Sequence, residues 1–259
     1  MRKNLILIFL LLISLGSFAQ RQPTATSQKP KKEKEKDGKT AEDYKMSAWG
    51  ATINTNSGVL GGFVYRSSKS IGNWGIHPVR RYFAIEAINL KHPKEKTDNQ
   101  FSRVIYNKIN YFFVIRPEYG REVMLFPKSG EEGIGTSAIF AVGPSIGIEK
   151  PYYIKYQPNQ GNGNDVQTVP FDPAIHTDFS KIVGTGSFFQ GLFSSNIVPG
   201  IHVKVAINLD VNTFGKSLTG FEIGWTGEFF TRSPDIVAFA ENKQFYTSAY
   251  FTLYFGSKK

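Results

Sequence analysis

Between Phe245 and Phe255 the chain alternates without a break: Phe245, Thr247, Ala249, Phe251, Leu253 and Phe255 are interleaved with Tyr246, Ser248, Tyr250, Thr252 and Tyr254. A period of two sends the two sets to opposite faces of one strand. One face is largely apolar and ends in an aromatic four residues before the carboxyl terminus; the other is lined with hydroxyls. A strand of this length, tilted, crosses a hydrocarbon core.

The amino terminus agrees. Met1-Arg2-Lys3 gives a positive start, Leu5 to Leu15 an apolar run broken only by Ser14, and Ser17-Phe18-Ala19 a small-x-small cleavage site before Gln20. Residues 1–19 are therefore expected to be an export signal, and the mature chain to begin at Gln20. With no cysteine, there is no lipidated amino-terminal Cys, disulfide framework or thiolate chemistry. Export followed by a strand of this kind predicts a protein of the cell outer membrane.

Arg2 and Lys3 leave with the signal, which takes 31 Lys and Arg to 29 against 21 Asp and Glu, a net of +8. Much of the excess lies in residues 20–45, where Lys29, Lys31, Lys32, Lys34 and Lys36 mix with Glu33, Glu35 and Asp37. That stretch has too little apolar surface to offset its ordering entropy and is read as a disordered, solvated periplasmic tail. It lacks the interleaved aromatics of a nucleic-acid surface, and the compartment argues against that partner as well.

Twenty-two Phe and 25 Gly favour an all-β chain. No segment after the signal holds eighteen consecutive apolar residues. A membrane-spanning form must then be a closed barrel, the β arrangement that pairs every backbone group. Residues 46–259 divide into eight strand candidates: Met46 to Thr55, Gly58 to Ser67, Arg80 to Leu90, Asn107 to Glu118, Thr136 to Glu149, Ile197 to Leu209, Leu218 to Thr231 and Gln244 to Phe255. Pro144 cannot donate to a ladder, so a bulge or bend is expected beside it. The predicted fold is an antiparallel up-and-down transmembrane barrel of eight strands with one long outer loop.

Alternation leaves open which face is outside, and the polar face decides it. Small residues such as Gly143, Ser145, Gly147, Ala206 and Gly224 stand there with Glu86, Arg116, His202, Lys204, Glu222 and Glu228, a set that can pack and pair within a narrow lumen. The apolar face is assigned to lipid. Termini on the periplasmic side make Lys150 to Asn196 the longest outer connection. It carries Tyr152, Tyr153, Tyr156, Phe171, Phe179, Phe188, Phe189 and Phe193, read together as a partner-contact surface, with a flexible middle at Gln160 to Asn164. Two inner connections, Ser68 to Val79 and Tyr119 to Gly135, come out long for periplasmic turns.

Catalysis has few candidates. His202 with Glu222 or Glu228 could be a base and its orienting carboxylate. The lipid A deacylase and palmitoyltransferase families set Ser and His where an acyl chain reaches, and here Lys204 stands two residues beyond His202. The reading taken is an interior charge network. Asp172, His176 and Asp178 match no zinc or calcium spacing, so no metal and no cofactor is expected. An eight-stranded lumen is filled by side chains, which argues against a transport pore.

Met46 to Phe255 resembles the small outer-membrane β-barrel proteins found as accessory subunits beside larger outer-membrane machines, through its strand pattern and terminal aromatic strand. Gly143-Pro144-Ser145-Ile146-Gly147-Ile148-Glu149-Lys150-Pro151-Tyr152-Tyr153 is similar to segments of barrels of that kind. The closing strand, with Phe251, Leu253 and Phe255, resembles the carboxy-terminal signal read by barrel-assembly machinery. It departs from that signal at Tyr250, where a Gly would stand, and in Gly256 to Lys259 after the last aromatic. The resemblance implies non-enzymatic work as a structural or accessory subunit of a barrel-assembly or protein-secretion complex. The expected partners are outer-membrane lipid and lipopolysaccharide, a larger outer-membrane protein complex, and no nucleic acid. A lipid A-modifying barrel enzyme and a surface adhesin are the alternatives.

Overall fold

The computed structural model describes residues 45–95, 104–127, 133–159, 165–211 and 217–258. The stretch expected to be an export signal, the Lys-rich stretch up to residue 44 and the Gln160 to Asn164 segment lie outside the described residues. The described strands are β1 (Lys45–Asn54), β2 (Gly58–Trp74), β3 (His77–Leu90), β4 (Asn110–Phe126), β5 (Gly135–Pro151), the short β6 (Tyr153–Tyr156), β7 (Gln167–Pro170) and β8 (Ile182–Thr185), then β9 (Asn196–Val211), β10 (Ser217–Phe230) and β11 (Phe245–Lys258). Eight of them close an antiparallel barrel in the order β1-β11-β10-β9-β5-β4-β3-β2, and β7-β6-β8 form a separate three-stranded sheet.

Following partners around the ring gives the geometry. Lys45 faces Lys69, then Arg81, Arg121, Phe140, Val205, Trp225 and Ala249. Because Tyr250 faces Asn54, the row returns to β1 at residue 55, ten residues from its start at 45. A stagger of ten over eight strands tilts them by roughly 40–45°. The ten steps from Phe245 to Phe255 then rise about 24 Å along the barrel axis, at about 3.3 Å per residue, close to the apolar height of an outer-membrane barrel.

The barrel is apolar outside and polar inside. Along β11 the residues from Tyr246 to Tyr254 at even numbers are buried, while Phe245, Phe251 and Phe255 are exposed. On β9, Ile201, Val203, Val205 and Ile207 face outward and His202, Lys204, Ala206 and Asn208 inward. Inside, three apolar clusters are stacked along the axis. Met46, Ala48, Leu218 and Tyr254 sit at the end holding the strand termini, Val64, Tyr82, Ile139 and Tyr250 lie midway, and Phe112, Phe230, Val237 and Tyr246 close the opposite end.

Three sequence expectations need correction. The long inner connections are mostly strand: β2 continues to Trp74, β3 begins at His77, and β4 runs to Phe126. The Ser67-Ser68-Lys69-Ser70 run looks like a turn, yet Ser68 points inward to Glu122 and Lys69 outward. The turn comes later, at Gly75, whose φ of 62° suits glycine, after a bulge between Ser70 and Gly72. The fourth strand starts at Asn110, not Asn107, because Asn107 adopts φ 55° in the preceding turn. No bulge accompanies Pro144. Ile115 faces Ile146 and Tyr119 faces Val142, so Pro117 stands opposite Pro144. Neither can donate, and the ladder opens there and resumes in unchanged register.

Candidate functional site

Glu86, Arg116, His202, Lys204, Glu222 and Glu228 all lie in the lumen, each 2% exposed or less. Arg116 is the hub of one group. Its Nε and Nη2 donate to the two oxygens of Glu228 at 3.0 and 2.5 Å, and Nη1 donates to Glu86 at 3.2 Å. Lys204 lies 2.8 Å from Glu118, 3.7 Å from Glu222 and 3.9 Å from Glu86, and 4.9 Å from the centre of the Tyr250 ring.

A second group was not anticipated from sequence. Arg66 donates to Asn208 at 2.8 Å and to Glu222 at 3.0 Å, and lies 3.4 Å from Glu122. Glu122 also accepts from Ser68 and Ser137, and Arg80 stands 3.5 Å away. The signal was available: Arg116, Glu118, Gly120 and Glu122 share one parity on β4, but the sequence reading ended that strand at Glu118. Bidentate and charge-assisted bonds of this kind satisfy charges that would otherwise be very costly to bury.

The lumen also brings Ser145 of β5 to His202 of β9, with Ser145 Oγ 3.1 Å from His202 Nδ1. His202 Nε2 lies 3.8 Å from Glu118. The three make a Ser, His, carboxylate constellation that a search for nearby Ser and His in sequence cannot find, since its members lie on different strands. Its proton traffic is directed elsewhere: Ser145 donates a short hydrogen bond to Glu228.

The outer connections fold over the end of the barrel where Phe112 and Phe230 meet edge to face at 5.0 Å. Ile109 donates to the Ile236 carbonyl at 2.9 Å and Ala238 to that of Asn107 at 2.7 Å. Lys108 is buried against Glu95 at 2.7 Å; burial lowers its ammonium pKa, and the carboxylate opposes that shift. Arg232 grips Glu149 with two hydrogen bonds, at 2.9 and 2.5 Å, which raises the guanidinium above its ordinary range.

Of the eight aromatics read as a contact surface, the structure separates two kinds. Tyr152 and Phe171 are buried with Val104, Ile154 and Ile182 as the core of the β6 to β8 sheet, and Tyr156 and Phe179 pack on that core. Tyr152 also accepts the Ile105 N–H at 3.1 Å. They are structural because an outer sheet of three short strands needs an apolar core of its own. Tyr153 is half-buried beside Gly186 and Gly191. Phe188, Phe189 and Phe193 are exposed, on a segment that descends onto the barrel wall. There Phe188 and Leu192 stand with Phe63, Phe113 and Ile148 around a groove of about 510 Å³. Phe251, Leu253 and Phe255 lie on the outward face of β11.

His176 accepts the Asp172 N–H at 2.9 Å and packs between Tyr156 and Phe171, and Asp178 accepts from Ser180. Among the described residues no group of three His, Asp or Glu is placed to hold a metal ion.

No family model matches the chain, and no curated protein matches it in sequence. Among solved structures it is similar to Ail, the attachment invasion locus protein of Yersinia pestis, solved with the heparin analogue sucrose octasulfate, at 11% identity over 84% of this chain and 99% of that one, with a TM-score of 0.36. It is also similar to Neisserial surface protein A, at 8% identity over 83% and 95% of the two chains, with a TM-score of 0.35.

Proposed function

We propose that the chain is a non-enzymatic outer-membrane barrel that works through its outer surface, as a structural or accessory subunit of a larger complex of the barrel-assembly or protein-secretion kind. The observation that carries this reading is the outer sheet. It has its own buried core, is tied to the barrel rim through Tyr152, and leaves Ile175, Val183, Phe189 and Phe193 exposed together with the wall groove. Apolar surface held this rigidly is a contact surface in search of a partner. Phe189→Ser with Phe193→Ser is expected to leave a barrel whose gel mobility still shifts on boiling, while removing most of the partner protein that co-purifies in mild detergent. Unchanged recovery of partners would move the contact to another face.

A second reading, a surface adhesin or binding barrel, is favoured by a different outer feature. Lys91, Lys94 and Lys243 border a groove of about 880 Å³ beside the outward Phe229 and Phe245, a setting for phosphate groups of lipopolysaccharide or another surface polyanion. Binding of whole cells or sulfated polysaccharide that is lost with Lys91→Gln and Lys243→Gln would favour it.

The lipid A enzyme is the weaker reading on geometry. Ser145 and His202 are buried in a filled lumen whose outer end is closed by Phe112, Phe230 and Val237, and the Ser145 proton is committed to Glu228. A general base must reach the proton it abstracts in a substrate complex. Lipid A from cells carrying wild type, Ser145→Ala or no copy of the gene is expected to give identical mass spectra. A difference of one acyl chain that follows Ser145 would make the enzyme reading the better one.

A further inference from the structure

The outer half of the barrel wall is dented beneath two lysines. Phe63, Ala87, Phe113, Ile115 and Ile148 floor an apolar groove of about 510 Å³, and the descending segment roofs it with Phe188 and Leu192. The dent exists because β2 brings Gly61 and Gly62 to this part of the wall and β3 only Ala87. A volume of this size suits one acyl chain. Phe189 and Phe193 do not line it, so they stay available for the protein contact proposed above.

Asn89 lines the groove on β3, and Lys91 follows two residues later on the same outward face; Ile148 lines it on β5, and Lys150 follows in the same way. Both strands run toward the outer end, so both lysines lie beyond the groove on that side. The ten-residue stagger, which climbs from β2 to β5, keeps this order: Phe113, Ile115, Ala87 and Phe63 all sit closer to the middle of the bilayer than either lysine. Lys91 is exposed and tied to the rim by its N–H, which donates to the Asn56 carbonyl at 2.8 Å. Lys150 is 1% exposed, its ammonium 4.9 Å from the centre of the Tyr111 ring and 5.3 Å from that of Phe188. Lys108 approaches the same Tyr111 ring at 4.6 Å but has Glu95 beside it at 2.7 Å. Among the described residues neither Lys91 nor Lys150 has a carboxylate partner. A buried ammonium resting on ring faces alone lacks the anion that ordinarily accompanies it. Phe188, 56% exposed, is the part of its cover that can turn aside. An apolar groove with unpaired cations at its headgroup end matches one chemistry: an acyl chain joined to an anionic headgroup.

We propose that this site binds lipid A of the outer leaflet, one acyl chain lying in the groove from Phe113 down to Phe63 and a phosphate held at its mouth by Lys91 and, once Phe188 turns aside, by Lys150. The chain then points from its phosphate toward the middle of the bilayer, as a lipid of that leaflet must. The proposal rests on the reading of the barrel as membrane-embedded with its termini on the periplasmic side. The test uses the full mature protein in micelles, given equal amounts of synthetic lipid A carrying both phosphates or neither, with retained lipid counted by native mass spectrometry. Each basic side chain near a membrane surface contributes about fivefold in affinity for anionic lipid. Wild type is expected to retain the phosphorylated form over the other by at least about tenfold, a preference that fades in high salt. Lys91→Gln/Lys150→Gln should bring the two forms close to equal, and Ala87→Phe, which fills the groove, should weaken retention of both. Equal retention by wild type overturns the proposal, and so does a double variant that keeps the preference. The source of the lipid is read in whole cells, with the photo-crosslinker benzoylphenylalanine in place of Ile115 or of Ile201, which stands at nearly the same height on β9 outside the groove. Adducts with lipopolysaccharide should be several times more abundant from the Ile115 position. Equal adducts from the two positions, or adducts with phospholipid, overturn the assignment to lipid A. Gel mobility of the purified samples separates the two levels of inference: a shift on boiling without lipid preference sinks the lipid site alone, whereas no shift on boiling sinks the membrane barrel itself.

Discussion

Arg116→Ala is expected to cost the barrel about 3–5 kcal/mol, because it leaves Glu228 and Glu86 buried without their shared cation. Three hydrogen bonds disappear at once, and water cannot enter to replace them in a lumen where both carboxylates are 2% exposed or less. The measurement is loss of the compact gel band, or of the tryptophan fluorescence signal, across a urea series in lipid vesicles. The double variant Arg116→Leu/Glu228→Leu should be less damaging than the single one, since it removes the charge with its partner. A single variant as stable as wild type would mean that water or another cation reaches Glu228, and the sealed lumen would be wrong.

Phe251→Arg is expected to hinder insertion by about 2–4 kcal/mol, the cost of a lipid-facing cation near the bilayer midplane. Phe251 points outward between Ile53 and Ile223 on the neighbouring strands and stacks on Phe221 at 5.7 Å. Its neighbour Tyr250 points inward and donates to Glu222 at 2.6 Å. Tyr250→Phe should therefore lose roughly 1.5–3 kcal/mol in unfolding, the range for a hydrogen bond to a charged group, yet insert normally. Folding into vesicles, read as the fraction shifted on boiling, separates the two. Equal yields from Phe251→Arg and wild type would reverse the assignment of faces.

Strand alternation made most of this architecture legible. His202 and Lys204 could be sent to the lumen because Ile201, Val203 and Val205 claimed the other face, and that argument needs no neighbour. Partnership was not legible. Arg116 reaches Glu228 across 112 residues through the stagger of the ring, and Ser145 meets His202 through the β5–β9 register. Arg66 and Glu118 stood on predicted strands without a visible partner, and Glu122 fell outside because the strand was ended at Glu118 while β4 runs on to Phe126. In the long outer connection, aromatic density signalled an apolar surface, but composition does not tell core from contact. Tyr152 and Phe171 went inward because three short strands needed something to close over, leaving Phe189 and Phe193 outside.

The distribution of charge around the ring has a consequence for how it is built. The ion pairs join β2, β3, β4, β9 and β10, so bringing those strands into the bilayer one at a time would carry naked charge with them. The junction between the first and last strands is different. From Met46 to Asn54 and from Tyr246 to Tyr254 every inward side chain is uncharged, and the two strands meet there through the Thr52 and Thr252 hydroxyls at 2.8 Å. Between β1 and β11 themselves, zipping or unzipping this seam exchanges backbone bonds and hydroxyl contacts, and the Arg66–Glu222 pair of the flanking β2 and β10 latches across it. It is the place where a half-made ring can wait open, and the last place to shut.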